Sequence, residues 1–266
     1  MSALTDATDT NAARDLDIAG QVAALLKMKP EDAATLVLKA DALYKAKMTR
    51  RFTDLKFKER LKRTNPFLAQ VRGITTVRDW AATQVASALY ASEEEAVGHV
   101  LEMIAKTRHP GSREPLITDD FDFEVSSQKS LRGFQVKMSW DCMPMSSRKN
   151  LSNTINRMME HYRQQGIEFE GIFAPCYGSA STRRPPGQLY TTMRSKDFWS
   201  EVGSGDEDFD VKVGKVCRLL CSEFRADLNK KLIPDLVNRL TDEGIRVFGR
   251  PDGTIDYNRL FRAINR

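Results

Sequence analysis

Apolar residues recur at three-to-four spacing through residues 1–115, the period of a helix buried along one side. "AARDLDIAGQVAALLKM" and "PEDAATLVLKADALYKAKM" both carry this pattern, and Pro30 suits the first turn of the second helix. Pro66 disfavours a helical Asn65, so "RTNPFLAQVRGI" reads as a break. Two further helices are predicted after it, "TVRDWAATQVASALYA" and one that starts at "SEEEAVGHVLEMIAKTRH". Ser92 and Glu95 have the spacing of a capping box there. Glu95, His99, Glu102 and Lys106 fall close to one face of that last helix.

The period changes near Leu116. Strands are predicted over 120–126 and 131–138, followed by a helix, "SSRKNLSNTINRMMEHYRQQG", whose core stripe is Leu151, Ile155, Met158 and Tyr162. "FEGIFAPCYGS" reads as a buried strand, "STRRPPGQ" as a loop and "LYTTM" as a short strand. A short helix at "DFWSEVG", a long one over 208–229, and a small hairpin with a last helix complete the chain. This order predicts an α/β (α+β mixed) fold, with helices against a mixed sheet and an N-terminal helical lobe. The lobe spans 1–115 and the sheet-bearing part 116–266, packed as one compact unit.

Composition narrows the class. At 266 residues, 41% hydrophobic and 29% charged, the chain can bury a sizeable core. No apolar run approaches the roughly 20 residues of a membrane helix. "MSALTDATDTNAARDLD" lacks the basic-then-apolar order of a signal peptide, so a cytoplasmic location is expected. The net charge of +5 says little, but its distribution says more. Over 45–63, Lys45, Lys47, Arg50, Arg51, Lys56, Lys58, Arg60, Lys62 and Arg63 stand against Asp54 and Glu59. Leu55, Phe57 and Leu61 are interleaved, as on an amphipathic helix with one basic face. Cys142, Cys176, Cys217 and Cys221 form no CxxC, and neither they nor the three histidines have metal-ligand spacing. Reduced core thiols are expected.

The chemistry sits in "FDFEVSSQKSLRGFQVKMSW". Strand alternation puts Asp120, Asp122 and Glu124 on one face, and Gln135 and Lys137 on one face of the next strand. Phe121, Phe123, Val125, Phe134, Val136 and Met138 take the opposite faces. An apolar core face with a solvated charged face accounts for this alternation. So does a hard-cation site: Mg²⁺ takes oxygen ligands, here Asp122 with the Gln135 amide oxygen or a neighbouring backbone carbonyl. Lys137 would then stand beside an attacking water, and the set fits in-line hydrolysis of a phosphodiester.

"FDFEV…FQVKMSW" resembles the core of the PD-(D/E)xK nuclease superfamily, with Asp122 followed by Gln135-Val136-Lys137. "NPFLAQVRGI" with "ASEEEAVGHVLEMIA", then "FEGIFAPCYGS" with "DFWSEVGSGDEDF", are similar to a branch of type II restriction endonucleases, in the same order from Asn65 to Phe224. The resemblance implies a restriction-endonuclease-like core and a homodimeric, Mg²⁺-dependent enzyme that cuts double-stranded DNA at a short palindromic site, leaving 5′-phosphates. Mn²⁺ would substitute, Ca²⁺ would support binding without cleavage, and a cognate DNA methyltransferase would protect the host. Asp122 and Lys137 match the invariant-type positions, and Gln135 departs from the usual Asp or Glu. A metal would be held by Asp122, Gln135 and Val136. Glu102 matches an acidic residue on the helix before the core. The bland reading of Glu102 is a solvated face with Lys106 as its i+4 partner.

DNA-contact candidates are Arg183 and Arg184 after "CYG", Arg being the usual bidentate reader of guanine. Ser139, Ser146, Ser147, Arg148 and Lys149 follow the catalytic Lys137, and Asn153 and Asn156 lie on the polar side of the next helix. Arg50, Arg51, Lys56 and Lys58 would hold phosphates. A structure-specific repair or recombination nuclease, or a DNA-binding protein without catalysis, are the alternatives. Intact Asp122 and Lys137 weigh against the latter.

Overall fold

The computed structural model describes residues 16–139, 141–179 and 181–265. Helices α1 (16–26), α2 (Pro30–Asp54), α3 (Phe57–Lys62), α4 (Pro66–Val71) and α5 (Val77–Arg108) come first. Strands β1 (Ser112–Arg113), β2 (Phe123–Ser126) and β3 (Ser130–Ser139) follow, then α6 (Met145–Arg163), β4 (Glu168–Tyr177) and β5 (Thr191–Thr192). The rest is α7 (Ser195–Val202), α8 (Phe209–Leu219), α9 (Ser222–Asp227), a π-helical turn at Leu228–Leu232, α10 (Ile233–Phe248) and α11 (Tyr257–Asn265).

Packing does not divide the chain at the period change near 115. One unit comprises residues up to Asp41 with Val97–Leu220, the other Ala42–Ala96 with Cys221–Arg266. Helices α2 and α5 each contribute to both. The capping box expected at Ser92 is absent, because α5 runs through it. Ser92 instead donates to the Ala88 carbonyl, and Glu95 pairs with Lys47. The cap that starts α5 is Thr76: its hydroxyl accepts from the Asp79 N–H at 3.1 Å and donates to the Asp79 carboxylate at 2.7 Å. The basic helix expected over 45–63 is broken at Leu55-Lys56, between α2 and α3. Asn65 is extended, as Pro66 demands, and accepts from the Leu68 N–H, so the expected break caps the short α4. The long helix expected over 208–229 breaks at Leu220, which is extended, and Cys221, which is left-handed with φ 60°.

In the first unit the five strands are ordered β1-β2-β3-β4-β5. β1, β2 and β3 pair antiparallel, while β3, β4 and β5 pair parallel. A mixed sheet with a crossover helix between β3 and β4 buries both faces. On one face α6 seats Leu151, Ile155, Met158 and Tyr162, the expected stripe, against Leu131, Phe169 and Phe173. Gly171 leaves the room for this, since a Cβ there would lie 2.2 Å from Ile155 Cδ1. On the other face Phe123 stacks on Phe134 at 4.7 Å, beside His109 and Phe198.

Two expectations for the strand pair change. Residues 119–122 form turns and bends, so β2 begins only at Phe123. Phe121 therefore does not share a face with Phe123. It packs in the α6 layer against Phe169, flat over Gly133, where a Cβ would be 2.8 Å from its ring. Of the thiols, Cys176 and Cys221 are buried, but Cys142 is exposed rather than in the core.

Candidate active site at the edge of the central strand

β3 is ten residues long and β2 is four, so their pairing stops at Phe123↔Phe134. Beyond it, β3 keeps β4 on one side through Ser139↔Tyr177. Asp122 occupies the vacated edge. Its N–H donates to the Phe134 carbonyl at 2.7 Å, and its carboxylate accepts from the Val136 N–H at 2.6 Å. A side chain thus replaces a strand partner. The N–H and C=O of one strand residue point to the same edge, so the Val136 carbonyl points toward Asp122 as well.

Lys137 Nζ stands 3.9 Å from the same Asp122 carboxylate oxygen. From α5, Glu102 reaches Asp122 closely enough to share a hydrogen bond with it. Burial, and then Glu102, push the Asp122 carboxyl up to about 6 against the opposing pull of Lys137 and the Val136 N–H. Two carboxylates held together, with Lys137 Nζ 3.9 Å from one of them, are short of positive charge. Gln135 is adjacent. Its amide nitrogen donates to the Asp120 carbonyl at 3.0 Å, which turns the other end of the amide away, and Oε1 is buried without a hydrogen-bond partner. An orphaned buried acceptor is unusual and asks for a donor or a cation.

The residues present therefore fit a hard divalent cation. Asp122, Glu102, Gln135 Oε1 and the Val136 carbonyl form an all-oxygen set. Among the described residues no cluster of three or more His, Cys, Asp or Glu side chains could hold a metal, so a cation here would also need amide and backbone oxygens.

The remaining carboxylates do not converge here. Asp120 accepts from the Thr154 hydroxyl of α6 at 2.6 Å and so ties the turn before β2 to the helix. Glu124 is fully buried opposite Gly133, 3.5 Å from Arg113, with Oε1 unpartnered, and burial raises its pKa. Asp120 is exposed, whereas Glu124 has left the solvated face that strand alternation predicts for it. Lys106 does not pair with Glu102. It pairs with Glu114, and Glu102 has His99 at 3.4 Å.

The DNA-contact candidates scatter. Ser139 is buried and donates to Asp141, so its hydroxyl is not presented outward. Ser146, Ser147 and Lys149 are exposed in the first turns of α6, and Arg148 is held to the Met143 carbonyl. Asn153 is exposed and Asn156 donates to Glu160. Arg183 is exposed, its backbone pinned to Thr192 by two hydrogen bonds, and Arg184 follows it. In the second unit Lys56 and Lys58 are exposed, Arg50 pairs with Asp54, and Arg51 Nε is buried.

No sequence motif marks Cys176 for the site. It is buried on β4 within the electrostatic reach of Asp122 and Lys137, and its backbone carbonyl accepts from Trp199 Nε1 at 2.8 Å. Burial raises its thiol pKa, so it stays neutral and unreactive.

A family model described as Type II restriction endonuclease EcoO109I matches residues 32–219, more than two thirds of the chain. No curated protein matches it.

Proposed function

This chain belongs to the type II restriction endonuclease EcoO109I family, a site-specific deoxyribonuclease acting on double-stranded DNA, and from that premise we propose that it hydrolyses DNA at a short palindromic site with Mg²⁺, leaving 5′-phosphates. Its mixed sheet flanked by helices is the restriction-endonuclease-like core. The observation that carries the proposal is the β3 edge, where Asp122, Glu102 and the unpartnered Gln135 Oε1 gather beside Lys137.

Asp122, Gln135 and the Val136 carbonyl would hold the cation, and Glu102 would reach it directly or through water. When bound, a divalent cation supplies Lewis-acid stabilisation of the charge that develops on the phosphate. Asp122 is fixed by the backbone, so its carboxylate is in place before substrate arrives. The Lys137 ammonium, partly in solvent, orients the attacking water and donates to a phosphate oxygen. The water oxygen bonds to phosphorus, the P–O3′ bond breaks in line, and a proton passes to the leaving 3′-oxygen. The phosphate remains on the 5′-oxygen of the downstream fragment, and the upstream fragment ends in a 3′-hydroxyl. Mn²⁺ supports the same chemistry, and Ca²⁺ supports binding without cleavage.

A palindromic site calls for a two-fold symmetric reader, so the working form is a homodimer. Arg183 and Arg184 read bases or hold phosphates. Ser146, Ser147, Arg148, Lys149, Arg50, Arg51, Lys56 and Lys58 contact the backbone. The enzyme acts in the cytoplasm, beside a methyltransferase that protects the same site.

The test is incubation of purified protein with unmethylated duplex DNA in Mg²⁺, Ca²⁺ or EDTA. Discrete fragments in Mg²⁺ alone, with 5′-phosphate ends on sequencing, are expected. Wild-type cutting by Asp122→Ala would falsify the site.

A further inference from the structure

The helical unit contains a second concave feature that shares no residue with the β3 edge. Arg60 of α3 is only 5% exposed. Buried arginines are ordinarily paired with an acid, because an unpaired charge away from water is costly. Among the described residues Arg60 has no carboxylate within 4.0 Å. Two other cations crowd it. After burial itself, Arg51 and Arg63 pull its guanidinium below the ordinary value, with Glu59 opposing in part. Arg51 adds an unmet donor, its Nε being buried without a partner.

Arg51, Arg60, Arg63 and Arg72 line one hollow of about 330 Å³, with Asn65 and Gln84 as further polar groups and no acidic side chain. Arg63 and Arg72 are exposed. Folding has therefore spent stability to gather four arginines around a space that holds no counter-charge of its own. A single carboxylate would leave most of that charge unmatched. A phosphate group matches it better, since its oxygens accept the forked, bidentate donors of several guanidinium groups together.

We propose that this hollow is a phosphate-binding site, with Arg60 and Arg51 as its inner ligands and Arg63 and Arg72 beside them. The phosphate comes either from the backbone of bound DNA or from a free phosphorylated molecule.

The full chain distinguishes these. Thermal unfolding is followed with inorganic phosphate against sodium chloride at equal ionic strength. Duplex-DNA affinity is measured across a salt series in Ca²⁺, so that neither readout depends on cleavage. The variants are Arg60→Met, which removes the buried charge, and Arg72→Ala, an exposed change that leaves the packing intact. Wild type should gain roughly 2–4 °C at about ten times Kd of phosphate. Arg60→Met should lose that gain while unfolding no lower than wild type in chloride. A salt slope reduced by about one in either variant assigns the phosphate to the DNA backbone. A lost thermal gain with an unchanged slope assigns it to a free phosphorylated ligand. If phosphate stabilises no more than chloride does, and both variants keep the wild-type salt slope, the hollow is not a phosphate site.

Discussion

The Asp122 carboxylate accepts a hydrogen bond from the Val136 N–H at 2.6 Å, at the place on β3 where an adjacent strand would otherwise bind. One contact thus does two jobs. It satisfies the edge of the central strand, and it holds a buried carboxylate beside Lys137 and Glu102.

Removal of either end of the Asp122–Lys137 pair should separate cutting from binding. Asp122→Asn keeps an oxygen for the Val136 N–H but loses the charge, and cleavage should fall to background. Lys137→Ala should slow cleavage by about 10²–10³-fold, the usual loss for one stabilising donor. Single-turnover cleavage in Mg²⁺ and duplex affinity in Ca²⁺ check both; affinity should stay near wild type.

The same pair predicts a pH dependence of stability. Asp122 titrates near 6 in the folded chain and near 3.8 when unfolded. The folded state therefore holds this proton more tightly. That stabilisation is complete below about pH 4 and is lost as pH rises through 6. In metal-free buffer Asp122→Asn should match wild type near pH 4 and exceed it at neutral pH by on the order of 2 kcal/mol. Adding Mg²⁺ should narrow the gap, by stabilising wild type. Urea unfolding of both proteins from pH 4 to 8 measures it.

Gln135 should tune cation affinity. Gln135→Glu supplies a second formal charge where Oε1 is now unpartnered, so Mg²⁺ should bind about tenfold or more tightly, the outer range of one added charged contact. Gln135→Ala should weaken it. Calorimetric titration of the DNA-free enzyme would show equal affinities in all three proteins if Gln135 is no ligand.

Glu124 should prove structural. It is fully buried with one oxygen unpartnered and a partly exposed Arg113 at 3.5 Å. Glu124→Gln removes a charge that burial disfavours and should leave cleavage unchanged with equal or higher stability. Arg113→Ala should destabilise by about 1–3 kcal/mol, less than a fully buried pair because Arg113 meets solvent. A cleavage defect in Glu124→Gln would place this carboxylate in the site after all.

Gly171→Ala tests the sheet–helix seam. Its Cβ would fall 2.2 Å from Ile155 Cδ1 in a fully packed layer, so a loss of about 1–3 kcal/mol is expected from overpacking. An unchanged unfolding midpoint would mean α6 shifts freely on β4.

The amino-acid order alone carried the element types, because hydrophobic period is a local property. The α6 stripe of Leu151, Ile155, Met158 and Tyr162 and the buried run of β4 were legible for that reason. So were Asp122 and Lys137 as a candidate pair, through spacing and resemblance. Period does not encode what a neighbouring strand leaves unpaired. Only the tertiary structure starts β2 as late as Phe123, turns Phe121 into the other layer, and sends Asp120 to Thr154 and Glu124 into the core. Three carboxylates in alternation thereby become three different environments. The run of α5 through Ser92 had the same origin: a capping box is a local signal, and it yields when the residues on both sides pack as one helix. Arg60 shows the limit most plainly. In sequence it is one of nine basic residues over 45–63, and its burial without an acid exists only once the helices around it are packed.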